Sequence, residues 1–109
     1  MPTVVFNDPV ADERDVPRST TVRMQFSRPM IAETFSERIR VSYCSPRQLA
    51  ALPIPRFSAV YRKDTRSIEL RFDAPLDGNQ TVKVELTEGI EAVNGGMLPA
   101  WTFTFTTGG

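Results

Sequence analysis

The chain has 109 residues, of which 40% are hydrophobic and 24% charged, with 13 Lys+Arg balanced by 13 Asp+Glu and no histidine. That length sets one domain, residues 1–109, with one modest core, and the composition argues against disorder, collagen-like repeats and coiled coils. Zero net charge removes the global electrostatic case for nucleic acid or an anionic membrane, and no apolar run approaches the ~20 residues of a spanning helix.

The opening residues, Met1-Pro2-Thr3-Val4-Val5-Phe6, lack the charged start and long apolar centre of a signal peptide. Thr3 to Phe6 reads as a short strand. Asn7-Asp8-Pro9 and the acidic loop Asp12-Glu13-Arg14-Asp15 follow, closed by Val16-Pro17. Proline cannot donate to a central ladder, which makes this entry segment an edge strand or irregular. Thr20 to Ser27 then alternates cleanly, with Val22, Met24 and Phe26 on one face and Thr21, Arg23 and Gln25 on the other. Ile31 to Phe35 is too short for a free-standing helix and predicts one helical turn or a loop.

Ile39, Val41 and Tyr43 form the next inward set. Cys44 to Pro55 breaks the rhythm: Ser45-Pro46 suits a helix start carrying Leu49 and Leu52, ended by Pro53 and Pro55. Arg56–Arg62 and Ser67–Phe72 predict two strands joined by a turn. The inner face of the second is Ile68, Leu70 and Phe72; in the first, Phe57, Ala59 and Tyr61 compete with Val60. Turn residues from Ala74 to Asn79 lead to a strand through Val82, Val84 and Leu86, and Asn94-Gly95-Gly96 marks a reversal. The last strand, Trp101 to Thr106, sets rings at Trp101, Phe103 and Phe105 against threonines between them. About seven short strands without a long helix predict an all-β antiparallel sandwich, with a small closed barrel as the alternative.

Several local patterns fall in order along this chain: Val16-Pro17, Phe26-Ser27-Arg28-Pro29-Met30, Gly95-Gly96-Met97-Leu98 and Phe103-Thr104-Phe105-Thr106-Thr107. Together they resemble the bacterial Ig-like domain of the surface-layer-protein type, over nearly the whole chain. The resemblance implies a seven-stranded Ig-like sandwich excised from a larger multidomain protein. Its implied work is non-catalytic: a spacer, stalk, adhesion or presentation element of a bacterial cell-surface or secreted protein. The implied partners are the neighbouring domains of the parent protein, and the isolated domain is expected to be a monomer. Two departures stand out. Gln80 occupies a position where similar domains carry an aromatic, commonly Tyr, and the Cys44–Pro55 stretch is longer than the usual link.

The residues themselves offer little catalytic chemistry. Without histidine there is no Ser-His, Cys-His or imidazole-metal arrangement, and periplasmic copper-binding sandwiches that depend on histidine are disfavoured. Cys44, the single cysteine, makes no internal disulfide and is expected to be a small, partly buried residue. Asp8, Asp12, Glu13 and Asp15 offer hard oxygen ligands for calcium, but their spacing fits solvated turn carboxylates better. Trp101, Tyr43 and Tyr61 suit a sugar platform by type, yet Trp101 and Tyr43 share the parity of the core. Arg23, Arg38, Arg40, Arg62, Lys63, Arg66 and Arg71 read as a solvated, ion-paired surface before they read as a polyanion site, and Asn79-Gln80-Thr81 fits a glycosylation sequon. The sequence thus assigns no catalytic, cofactor or metal residues and no cofactor. The rival to the spacer reading is a module that binds a carbohydrate or protein partner through the 44–55 loop or an arginine-rich face.

Overall fold

The structure is a computed structural model that describes residues 2–44 and 55–109. Its seven described strands are β1 (Val4–Asp8), β2 (Val22–Phe26), β3 (Ile39–Tyr43), β4 (Phe57–Arg62), β5 (Ser67–Phe72), β6 (Thr81–Leu86) and β7 (Trp101–Thr106). A single 3-10 turn, Ala32–Phe35, occupies the stretch where the sequence predicts one helical turn. The strands form a four-stranded sheet ordered β1-β2-β5-β4 and a three-stranded sheet ordered β3-β6-β7, with every strand pair antiparallel. Lettered along the chain, these are the ABED and CFG sheets of a constant-type immunoglobulin sandwich. No described strand of one sheet pairs with a strand of the other, so the sandwich holds and the closed barrel does not.

Alternation produces the core directly. Val22, Met24 and Phe26 of β2 and Ile68 and Leu70 of β5 are buried and face Val41, Val82, Val84, Leu86, Phe103 and Phe105 from the other sheet. Phe35, on the 3-10 turn, fills the space at one end, its ring centre 5.4 Å from that of Phe26 and 5.6 Å from that of Tyr61. In β4 the ambiguity resolves: Phe57 and Tyr61 pack against the core, whereas Val60 points outward. Ala59 has the inward parity of Phe57 and Tyr61 and is nevertheless exposed, because β4 is the last described strand of its sheet.

Three expectations about depth and order change. Trp101 has the inward parity of the core but is only half-buried, since it opens β7 at the rim opposite Leu86. Cys44 is exposed, just past the end of β3. The acidic loop is also more than a solvated turn, because its backbone covers the outer edge of β7. Asp12 N–H donates to Thr104 O at 2.7 Å, Thr106 N–H to Glu13 O at 2.8 Å and Val16 N–H to Thr106 O at 3.1 Å. That coverage removes an open sheet edge.

The core sits in a body of 44 × 23 × 23 Å. β1 starts beside Ser27, where Thr3 N–H donates to the Ser27 hydroxyl at 3.0 Å and Pro2 packs on Gly96. β7 ends at the opposite pole, where Gly108 and Gly109 lie against Gly78 and Asn79. Between β6 and the final reversal, Gly89 has φ 113°, and a β-carbon there would run into the Arg38 side chain. Gly89→Ala is therefore expected to cost about 1–3 kcal/mol, read as a lower urea midpoint at unchanged m-value.

Candidate functional site

Each of the ordered sequence landmarks turns out to tie two elements together. Val16 is buried and bridges Thr107 in parallel, while Pro17 O accepts Thr20 N–H at 3.0 Å as the chain turns into β2. Phe26-Ser27-Arg28-Pro29-Met30 is the crossover between sheets. There Ser27 exchanges bonds with Thr3, Pro29 O accepts Val93 N–H at 3.0 Å, and Met30 N–H donates to the Tyr61 hydroxyl at 2.8 Å. Gly95, at φ 93°, makes the reversal that returns buried Leu98 to Ile90, its N–H donating to Ile90 O at 2.8 Å. Thr107 closes the set. Its hydroxyl donates to Asp77 O at 2.6 Å and accepts Gln80 N–H at 3.0 Å.

Gln80 takes no part through its side chain in the described bonds of that corner; its backbone does the tying. The aromatic anchor comes from the next strand instead, where the Tyr43 hydroxyl accepts Asp77 N–H at 2.9 Å. On the other side Arg18 Nε donates to Leu76 O at 2.6 Å. The sequence gives little sign of these partners, because the bonded residues lie 34 and 58 positions apart.

The chemical candidates do not converge. Glu13 Oε1 accepts Val10 N–H at 3.1 Å within the loop and Asp12 Oδ1 accepts from the Thr104 hydroxyl of β7 at 3.4 Å. Among the described residues no three of His, Cys, Asp and Glu gather to hold a metal ion. Tyr43 and Tyr61 are half-buried, their hydroxyls bonded inside the domain, and the Trp101 ring centre is 5.1 Å from that of Phe103. The three aromatics therefore form no exposed platform.

The basic residues divide between surfaces. Arg23 lies over the Phe6 ring at 5.3 Å and Arg71 pairs with Glu69 at 2.6 Å, both on the outer face of the four-stranded sheet. Arg40 is on the other sheet, opposite Glu85. Arg38 and Arg66 donate to backbone carbonyls of Thr34 and Ser27. Only two ion pairs occur among the described residues, Arg71–Glu69 and Lys83–Glu85, so the surface is solvated more than it is ion-paired. Of the 44–55 loop, residues 45–54 lie outside the described residues, and the helix start expected at Ser45-Pro46 lies there. Asn79, the sequon residue, is exposed in the turn before β6.

One surface that the sequence reading passed over has both shape and chemistry. A groove of 320 Å³ opens between the edges of β3 and β4, lined by Ala32, Phe35, Ile39, Phe57, Tyr61 and Ile68 among others. Its signal in the sequence was the inward-parity Ala59 between two rings, which leaves a gap where a larger side chain would seal the flank.

Two sheets in this order, with a core closed by the crossover residues, define an Ig-like sandwich. The chain belongs to the bacterial Ig-like domain family, whose profile matches residues 1–107. No curated protein sequence matches it. Among solved structures it is similar to surface layer protein SbsC, domains 1–6, at 16% identity and TM-score 0.67; the match covers 99% of this chain and only 14% of that one. PcoC, a methionine-rich copper resistance protein from Escherichia coli, is similar at 15% identity and TM-score 0.76, covering 97% of both chains. LD transpeptidase LdtMt1, solved in complex with imipenem, is similar at 17% identity and TM-score 0.59, over 99% of this chain and 40% of that one. Likeness at these identities is likeness of fold.

This chain has no histidine, Met24 and Met30 are sealed in the core, and Met97 is exposed.

Proposed function

We propose that this chain is a non-catalytic spacer or presentation module within a larger bacterial surface or exported protein. The observation that carries the reading is the placement of its ends. β1 starts at one pole of a 44 Å body and β7 finishes at the other, so neighbours joined through them are held apart along the long axis. The ordered landmarks support it, since each is spent on crossovers and corners and none lines a pocket of reactive groups. The neighbouring domains of the parent are then its partners, and the cell envelope or its exterior is its location. A domain of this kind contributes stiffness and separation, and a fold alone does not bring chemistry.

Solution scattering on two copies joined end to end through residues 1 and 109 tests this. The maximum dimension is expected to approach twice the 44 Å of one unit. A compact side-by-side particle overturns the spacer reading.

A further inference from the structure

The outer edge of β4 has no backbone partner among the described residues, in contrast to β7, whose edge is covered by residues 12–16. β1, the opposite edge of the same sheet, is broken by a bulge between Val4 and Phe6. β4 has neither device: it runs six residues in unbroken register with β5, from Phe57↔Phe72 to Arg62↔Ser67. A regular, uncovered edge presents alternate N–H and C=O groups that an added strand can satisfy. Directly inside that edge lies the 320 Å³ groove, with exposed Ala59 as the gap between Phe57 and Tyr61, and Phe35, Ile39 and Ile68 as its apolar depth.

Charge decides what fits. From Pro55 to Lys63 the chain carries Arg56, Arg62 and Lys63, all exposed, and no carboxylate. Asp73 N–H bonds Arg56 O at 2.9 Å, but no described ion pair engages Arg56, Arg62 or Lys63. On the β5 side Glu69, opposite Val60, is held by Arg71, and Asp73, opposite Arg56, makes no described ion pair with it. The one acidic residue lining the groove, Glu37, belongs to the turn before β3 and disfavours an acidic group inside the groove itself. A second copy paired antiparallel on this edge would bring Arg56 of one strand towards Arg62 and Lys63 of the other, which like-charge repulsion opposes.

We infer that the edge of β4, unpaired among the described residues, docks an extended acidic peptide. Its backbone continues the four-stranded sheet, one inward apolar side chain fills the groove beside Ala59, and outward carboxylates meet Arg56 and Arg62. This is strand addition, in which main-chain bonds supply affinity and the alternating side-chain positions supply selectivity. It goes beyond the spacer reading and stands whether or not that reading does.

The probe is a fluorescent octapeptide alternating valine with glutamate, titrated by anisotropy into the 109-residue domain, with a valine–lysine alternation as the counter-probe. Saturable binding of the glutamate peptide is expected, weakening with added NaCl. Amide shifts should concentrate on Phe57–Arg62 and the groove residues. Arg56→Glu with Arg62→Glu should weaken binding about tenfold, since both side chains are exposed and the fold, checked by circular dichroism, is retained. Ala59→Leu, at an exposed position, should weaken it by filling the groove. Equal binding of the lysine peptide, shifts elsewhere on the domain, or no binding overturns the inference. Concentration-dependent self-association through β4 also overturns it, by making a second copy the occupant.

Discussion

Replacing Phe105 with alanine is expected to remove about 3–5 kcal/mol of folding stability, a large share of the ~5–15 kcal/mol typical of a small domain. Phe105 is fully buried, stands opposite Val82 in the three-stranded sheet, and has its ring centre 6.0 Å from that of Phe103. The ring faces Met24, Leu70 and the rest of the opposing sheet across a closely packed interior, where the vacated volume relaxes only in part. Trp101→Ala, two same-face positions earlier on β7, should cost less, about 1–2 kcal/mol, because that ring is only partly buried at the rim of the core. Urea unfolding of the two variants, followed by tryptophan-independent circular dichroism, measures the order directly. A larger loss at Trp101 than at Phe105 would contradict the burial described for β7.

The contrast between those two aromatics shows how far the sequence carries. Alternation assigns a side chain to a face, because successive residues on a strand point to opposite sides. It does so correctly for Val22, Met24 and Phe26, for Ile68 and Leu70, and for Val82, Val84 and Leu86, all of which are buried. It does not assign depth. Trp101 and Ala59 both have inward parity, yet one sits at the rim of a sheet and the other on the last described strand of its sheet, and only the strand order reveals either. The same limit governs the candidate surface. The cationic run from Arg56 to Lys63 is visible in the sequence, whereas its value depends on β4 being the last described strand and on β3 lying across a groove from it. The family landmarks were legible as an ordered pattern, while the reason for each lay in partners brought close only by folding.

Thr107→Val tests the most compact of those reasons. Valine matches threonine closely in volume but removes the hydroxyl, and a buried position feels that difference as lost hydrogen bonding. Here the hydroxyl serves two backbone groups at once, donating to Asp77 O at 2.6 Å and accepting Gln80 N–H at 3.0 Å, while the residue itself is 2% exposed. Removing it leaves a carbonyl and an N–H of the β5–β6 corner without that partner, and the expected cost is about 1–3 kcal/mol. Thr107→Ser keeps the hydroxyl and loses only a methyl group, so it should retain most of the stability. Hydrogen exchange separates this account from a simple loss of packing. With valine, the Gln80 amide should lose protection ahead of core amides such as Val84, whereas with serine the two should remain ordered as in the parent. If valine and serine destabilise equally and Gln80 stays protected, Thr107 acts through its volume, and the terminal threonine of the family pattern is a packing residue. If valine alone opens the corner, that threonine is the clasp holding the end of β7 to the start of β6, at the pole from which the next domain of the proposed spacer would depart.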